Sequence, residues 1–205
     1  MAYAARSELK PSGLKGISEN QVAQHWKLYE GYVANVNALK GELEALRQEG
    51  KGGTPLFADR RRRFGFELNG MVLHEYYFGN LRAGAAEPAE SSALRGALAG
   101  QYGSFEAWKE DFARCGASRS IGWAALLLDP ATGGLTNHFV QLHEEGNVAG
   151  FAPVLLMDVW EHAYMVDYGA GGRSDCIKAF FENVAWGVVE RRFVSAKAGQ
   201  IPARW

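Results

Sequence analysis

From Gln21 to Gln48, apolar residues recur at Val22, Trp26, Tyr29, Tyr32, Val33, Val36, Leu39, Leu43 and Leu46, with His25 on the same face. That spacing is a helical period and predicts one long helix. Ser18 is placed to cap it, with Glu19 in the first turn. Gly50, Gly52, Gly53 and Pro55 interrupt the pattern. It resumes through Phe57, Phe64, Leu68, the run 71–73 and the run 76–78, predicting a second helix over Leu56 to Phe78. Two long helices joined by a short Gly-rich turn form an αα-hairpin.

Leu81 to Ser92, rich in Ala, Glu and Ser and holding one Pro, predicts a linker. Two shorter helices follow at 91–101 and 104–114. The pattern then changes character. Gly122 to Leu128, Leu135 to Leu142 and Phe151 to Met157 read as strands, and Asp129–Pro–Ala–Thr–Gly–Gly between the first two reads as a hairpin turn. A last helix is expected over 174–192, carrying Ile177, Phe180, Phe181, Val184, Trp186 and Val188. The fold class is therefore α+β. An N-terminal helical hairpin domain (1–84) precedes an α/β domain (85–205) with a small three-stranded antiparallel sheet.

Composition narrows the chemistry. The chain has 205 residues, 47% hydrophobic, and a net charge of −1. That is enough chain for a real core, and it lacks the basic excess of a general nucleic-acid binder. Two Cys, at 115 and 176, cannot form a disulfide scaffold or a four-Cys zinc site. The apolar runs Ile121 to Leu128 and Phe151 to Met157 fall far short of the ~20 residues of a membrane helix. No apolar signal core is visible near the N-terminus, so a cytoplasmic protein with reduced thiols and no membrane partner is expected. The run Arg60 to Arg63 reads as a solvated helix face.

Any metal must therefore be held by His and carboxylates. Asp158–Val–Trp–Glu–His162 places a carboxylate and an imidazole four residues apart, just after a strand. They converge if the chain turns there into a helix. His25 and His74 sit on the two hairpin helices in apolar surroundings, where a buried imidazole needs a partner for each ring nitrogen. Other metal motifs fail on spacing. His74-Glu-Tyr-Tyr-Phe78 would be a zinc-protease motif only with His in place of Phe78. No His has the Glu three residues before it that a di-iron bundle requires. Neither a P-loop nor a GxSxG motif is present. The candidate site is mononuclear, with three His and one Asp.

Asp158-Val-Trp-Glu-His-Ala-Tyr164 resembles the metal-binding signature of the iron/manganese superoxide dismutases, and the resemblance spans Ile17 to Phe193. It implies a helical-hairpin domain and an α/β domain that each supply two ligands: His25 and His74, then Asp158 and His162. It implies one Fe or Mn ion per subunit, superoxide as substrate, and a homodimer or homotetramer. Glu161 and Tyr164 would lie at the interface, with Glu161 bonding His162 of the partner subunit. Gly122-Trp123 matches the family's Gly-Trp pair, and Tyr32 matches the Tyr of the substrate funnel. Trp123 and Trp160 would line the centre, and Lys27 and Arg173 are candidates for steering the anion.

The chain also departs from the family pattern. Between His25 and Tyr32 it is one residue shorter than commoner members, which leaves the second gateway position to Tyr29 or Leu28. Met165 and Phe78 replace usual aromatics, the latter a Trp. Gly70 stands where some members carry an outer-sphere Gln, while His143, fifteen residues before Asp158, occupies the alternative position. The resemblance thus points to the subgroup with His there, and His143 is expected to hydrogen-bond solvent on the metal. His138 has no assigned role. A dismutase is the leading reading. A metal-binding or interaction protein of the same fold without activity is the alternative. A mononuclear oxygenase would use only two His with its carboxylate.

Overall fold

The computed structural model describes residues 2–204. Helix α1 (Glu19–Gln48) starts where the Ser18 hydroxyl accepts the Gln21 amide at 3.0 Å. Helix α2 (Pro55–Gly79) is capped by Thr54, with Pro55 at its first position, where a missing N–H leaves no bond unmade. The two form the expected hairpin, packed along their apolar faces. Short helices α3 (Ala93–Tyr102) and α4 (Phe105–Gly116) follow, capped by Ser92 and Ser104.

Strands β1 (Gly122–Leu128), β2 (Leu135–Gln141) and β3 (Ala152–Asp158) form one antiparallel sheet in the order β2-β1-β3. The central strand is buried along its whole length, as its unbroken apolar run requires. Trp123 pairs with Asp158 in the β1–β3 register, so the strand ends deliver these two residues side by side. Helix α2 and the C-terminal helix α7 (Trp186–Lys197) pack on β3, and α4 on β1 and β2.

The expected last helix is two. Helix α6 (Arg173–Glu182) stops at Asn183, and α7 (Trp186–Lys197) starts three residues later. Between them the backbone pairs sideways. Asn183 O accepts the Arg82 amide at 2.8 Å, and the Ala185 amide donates to Asn80 O at 2.7 Å. The Asn183 side chain also bonds both backbone groups of Lys15. These long-range bonds replace the helical ones, which no local period announces. The signature segment forms a 3₁₀ turn (Glu161–Ala163) and a one-turn helix, α5 (Met165–Tyr168).

Candidate metal centre

Four side chains from three separate parts of the chain meet where the hairpin crosses the end of the sheet. His25 comes from α1, His74 from α2, Asp158 from the last position of β3 and His162 from the 3₁₀ turn. One ligand-capable atom from each lies within 4.8 Å of every other. The Asp158 Oδ1 atom accepts the Trp160 amide at 2.9 Å, a turn that swings His162 back over the carboxylate. The other oxygen, Oδ2, faces three imidazoles: His25 Nε2 at 3.1 Å, His162 Nε2 at 3.1 Å and His74 Nε2 at 3.6 Å.

Proton positions decide what this arrangement fits. His74 Nδ1 lies 2.6 Å from Gly70 O. A carbonyl only accepts, so Nδ1 carries the proton of the neutral ring. Nε2 is then a bare lone pair, fully buried and without a hydrogen-bond partner. It faces a carboxylate oxygen that also offers only lone pairs. Such an arrangement is costly alone and favourable around a cation. Burial lowers the pKa of His25 and lowers that of His74 well below the ordinary value, keeping both available as neutral ligands. For Asp158, burial opposes ionisation, but the facing imidazoles of His162 and His25 hold its carboxyl well below the usual range. Three neutral imidazoles and one carboxylate fit a first-row ion that cycles between oxidation states, such as iron or manganese.

Comparison with known proteins agrees. The profile of the iron/manganese superoxide dismutase C-terminal domain matches residues 90–192. The iron superoxide dismutase of Aquifex pyrophilus is 35% identical over 197 residues, covering 93% of this chain and 91% of the relative. The chain belongs to the iron/manganese superoxide dismutase family. A manganese superoxide dismutase of Haloferax volcanii is 36% identical over 182 residues, 88% of each chain. The iron superoxide dismutase of Cupriavidus metallidurans is 33% identical over 199 residues, covering 92% of this chain and 97% of the relative.

Around this dismutase-family centre, Trp123 and His143 are fully buried, and His74 stacks edge-on against Trp123 at 4.9 Å. Trp160 lies 5.0 Å from the His143 ring and is stacked 5.6 Å from His162. His143 is turned inward by its loop. Leu142 has φ 53, the only described non-glycine residue in the left-handed region. Gln141 and Glu145 close the turn with paired backbone bonds, and Asn147 Nδ2 donates to His143 O at 2.8 Å.

His143 has both ring nitrogens engaged. Trp123 Nε1 donates to its Nδ1 at 3.1 Å, and its Nε2 lies 2.7 Å from the Tyr32 hydroxyl. An indole N–H only donates, so in the neutral ring the proton is on Nε2 and points at Tyr32. Burial lowers the His143 pKa to about 4, so this neutral tautomer holds at pH 7. Its direct partners are thus Trp123 and Tyr32. Gly70 explains the room for Tyr32: a Cβ there would stand 2.6 Å from the Tyr32 ring.

The remaining sequence candidates separate. Tyr29 is buried, stacked 6.4 Å from His74, and its hydroxyl donates to Glu75 at 3.1 Å, whereas Leu28 is exposed. Lys27 is exposed. Arg173 donates to Ser118 O at 2.7 Å and lies over the Tyr164 ring. Glu161 is exposed in the single chain and Tyr164 is buried. His138 stands apart, 2.6 Å from the Thr136 hydroxyl.

Two features escaped the sequence reading. Arg63 does not simply solvate a helix face: it pairs with Glu67, which is only 2% exposed. Glu75 and Arg192, both buried, receive the C-terminal segment through Arg204. For the first, the spacing 63, 66, 67, 70, 74 along one face of α2 is a signal that leads straight to a ligand.

Proposed function

We infer that the protein dismutates superoxide at a mononuclear iron or manganese centre held by His25, His74, Asp158 and His162. The observation that carries this is the buried His74 Nε2 lone pair, left without a partner among ligands that converge on one carboxylate oxygen. An iron or manganese ion held there would supply the one-electron redox chemistry by which two superoxides and two protons become dioxygen and hydrogen peroxide.

The chain's own residues manage the protons and exclude water. His143 donates from Nε2 to Tyr32 Oη, which leaves the Tyr32 proton free to point into the site. Burial, with the charge of Asp158 adding, raises the Tyr32 pKa, so the hydroxyl stays protonated and able to donate. In this reading His143 acts through Tyr32. Trp123 fixes the His143 tautomer, and Trp160, Tyr77 and Phe78 form apolar walls.

A homodimer or homotetramer contacting through Glu161 and Tyr164 is supported by the exposed apolar pair Met165 and Val166 beside them. A boundary near residue 84 is supported by the stretch 82–92, which holds neither helix nor strand. A cytoplasmic setting is supported by two unpaired cysteines, whose thiols burial raises to about 11 for Cys115 and about 12 for Cys176. No helix among the described residues is long and apolar enough to cross a membrane.

The deciding assay follows superoxide decay with protein loaded separately with iron and with manganese. Turnover with at least one metal is expected. No activity with either, at full occupancy, would leave a metal-binding protein of the same fold.

A further inference from the structure

A charge pair sits beside the Tyr32–His143 couple. Glu67 is buried on the α2 face that leads to His74. One of its oxygens accepts Asn35 Nδ2 at 3.1 Å, and the other accepts Arg63 Nε at 2.6 Å. Both bonds lie one helical turn from the Tyr32–Gly70 contact, since Asn35 follows Tyr32 by three residues and Glu67 precedes Gly70 by three. Residues so spaced are ~5–6 Å apart on a helix, so Glu67 sits one turn along α2 from Gly70, against which the Tyr32 ring packs.

Arg63 spans the same wall from outside. Its guanidinium lies 4.2 Å over the Phe66 ring, and Phe66 is 4.5 Å from the His143 ring and 6.2 Å from Tyr32. Its side chain is 54% exposed, so one end meets solvent and the other meets a carboxylate that is not exposed.

We propose that Arg63 is an electrostatic positioning residue for an anionic substrate: it balances Glu67 so that a buried carboxylate beside Tyr32 does not repel the anion. The inference rests on the dismutase reading above. A negative charge along this wall opposes every superoxide that approaches Tyr32, and low-dielectric walls carry that field further than water does. Removing Arg63 alone leaves the carboxylate uncompensated.

The test uses the metal-loaded protein and the variants Arg63→Gln, Glu67→Gln and the double variant. Azide is the probe, titrated at equilibrium by the visible absorption of the centre, beside kcat/KM for superoxide. Arg63→Gln is expected to weaken azide binding and lower kcat/KM by roughly two- to fivefold at low ionic strength. Added salt should shrink the difference. The double variant should return both to the wild-type level, and Glu67→Gln alone should match or exceed it. Glu67→Gln retains an oxygen for Asn35, so it keeps the test open if Arg63→Gln folds poorly. An Arg63→Gln protein with unchanged azide affinity overturns the proposal. So does a loss that Glu67→Gln does not reverse, or weaker azide binding in Glu67→Gln itself. Failure of the dismutase reading looks different: the wild-type protein would bind azide yet leave superoxide untouched.

Discussion

Replacing Gly70 by Ala adds one methyl group at the tightest point of the site. The new Cβ would stand 2.6 Å from Tyr32 Cδ1, 2.7 Å from Cε1 and 3.0 Å from Cγ. Carbon atoms settle at ~3.5–4.0 Å, so the ring must retreat by about 1 Å. The Tyr32–His143 bond is 2.7 Å long, and a retreat of that size takes it out of hydrogen-bonding range. Two stability effects oppose each other. Ala is better than Gly inside a helix by about 1 kcal/mol. Overpacking a filled site costs about 1–3 kcal/mol, and the lost hydrogen bond about 1 kcal/mol more. Strain therefore wins, and we expect a net loss of ~1–3 kcal/mol, or a Tm several degrees lower. Turnover should fall by about tenfold, the kinetic equivalent of ~1.4 kcal/mol of lost Tyr32 positioning. Thermal melts and superoxide decay at equal metal content measure both. Tyr32→Phe, which lacks the hydroxyl, should show little further loss of turnover when Gly70→Ala is added. A Gly70→Ala protein that melts higher and turns over normally would show that Gly70 does not confine the Tyr32 ring.

Asp158→Asn removes the only charged ligand and should lower metal affinity by more than tenfold, since even partners of ligands contribute 10–100-fold. Metal content after dialysis reads this out, and full occupancy would contradict the assigned centre. The metal-free protein should lose stability as pH falls from about 6.5 towards 4. His25, His74 and His143 all have folded pKa values below the unfolded value, so the unfolded chain binds more protons in that window. Each contributes a slope of up to ~1.4 kcal/mol per pH unit, and Asp158, also lowered, extends the loss at still lower pH. Melts of apo protein across this range should show the decline, and a flat profile would mean the histidines are not held neutral. Arg192→Met should destabilise the protein by about 2–4 kcal/mol, since each buried acceptor left without a donor costs about 1–3 kcal/mol. It strips the buried guanidinium from Asn80 Oδ1, Tyr76 O, Ala203 O and Arg204 O, and denaturant unfolding measures the loss.

The hairpin was legible because its helices are long and amphipathic, with caps at Ser18 and Thr54 and breakers between them. The three strands were legible because short apolar runs alternate with turn residues. The last helix was not, because the break at Asn183 is made by bonds to Lys15, Asn80 and Arg82, far away in the chain. Arg63 was missed for a different reason, since its partner is local and only the spacing 63, 67, 70, 74 along one face of α2 sets it apart. A run of four arginines looks solvated until a buried carboxylate one turn on claims one of them.

The sequence by itself determined the kind of site: three histidines and one aspartate, at spacings that match a known signature, on elements whose periods can be counted. Ligand identity is local chemistry, and local chemistry is written residue by residue. Only the tertiary structure decided how the surrounding residues act. The two nitrogens of His143 are assigned by an indole from β1 and a phenol from α1, and the room for Tyr32 depends on a glycine of α2. Hydrogen bonds and steric contacts of this kind span a few ångströms in space and up to 111 residues in sequence, so no periodicity along the chain encodes them.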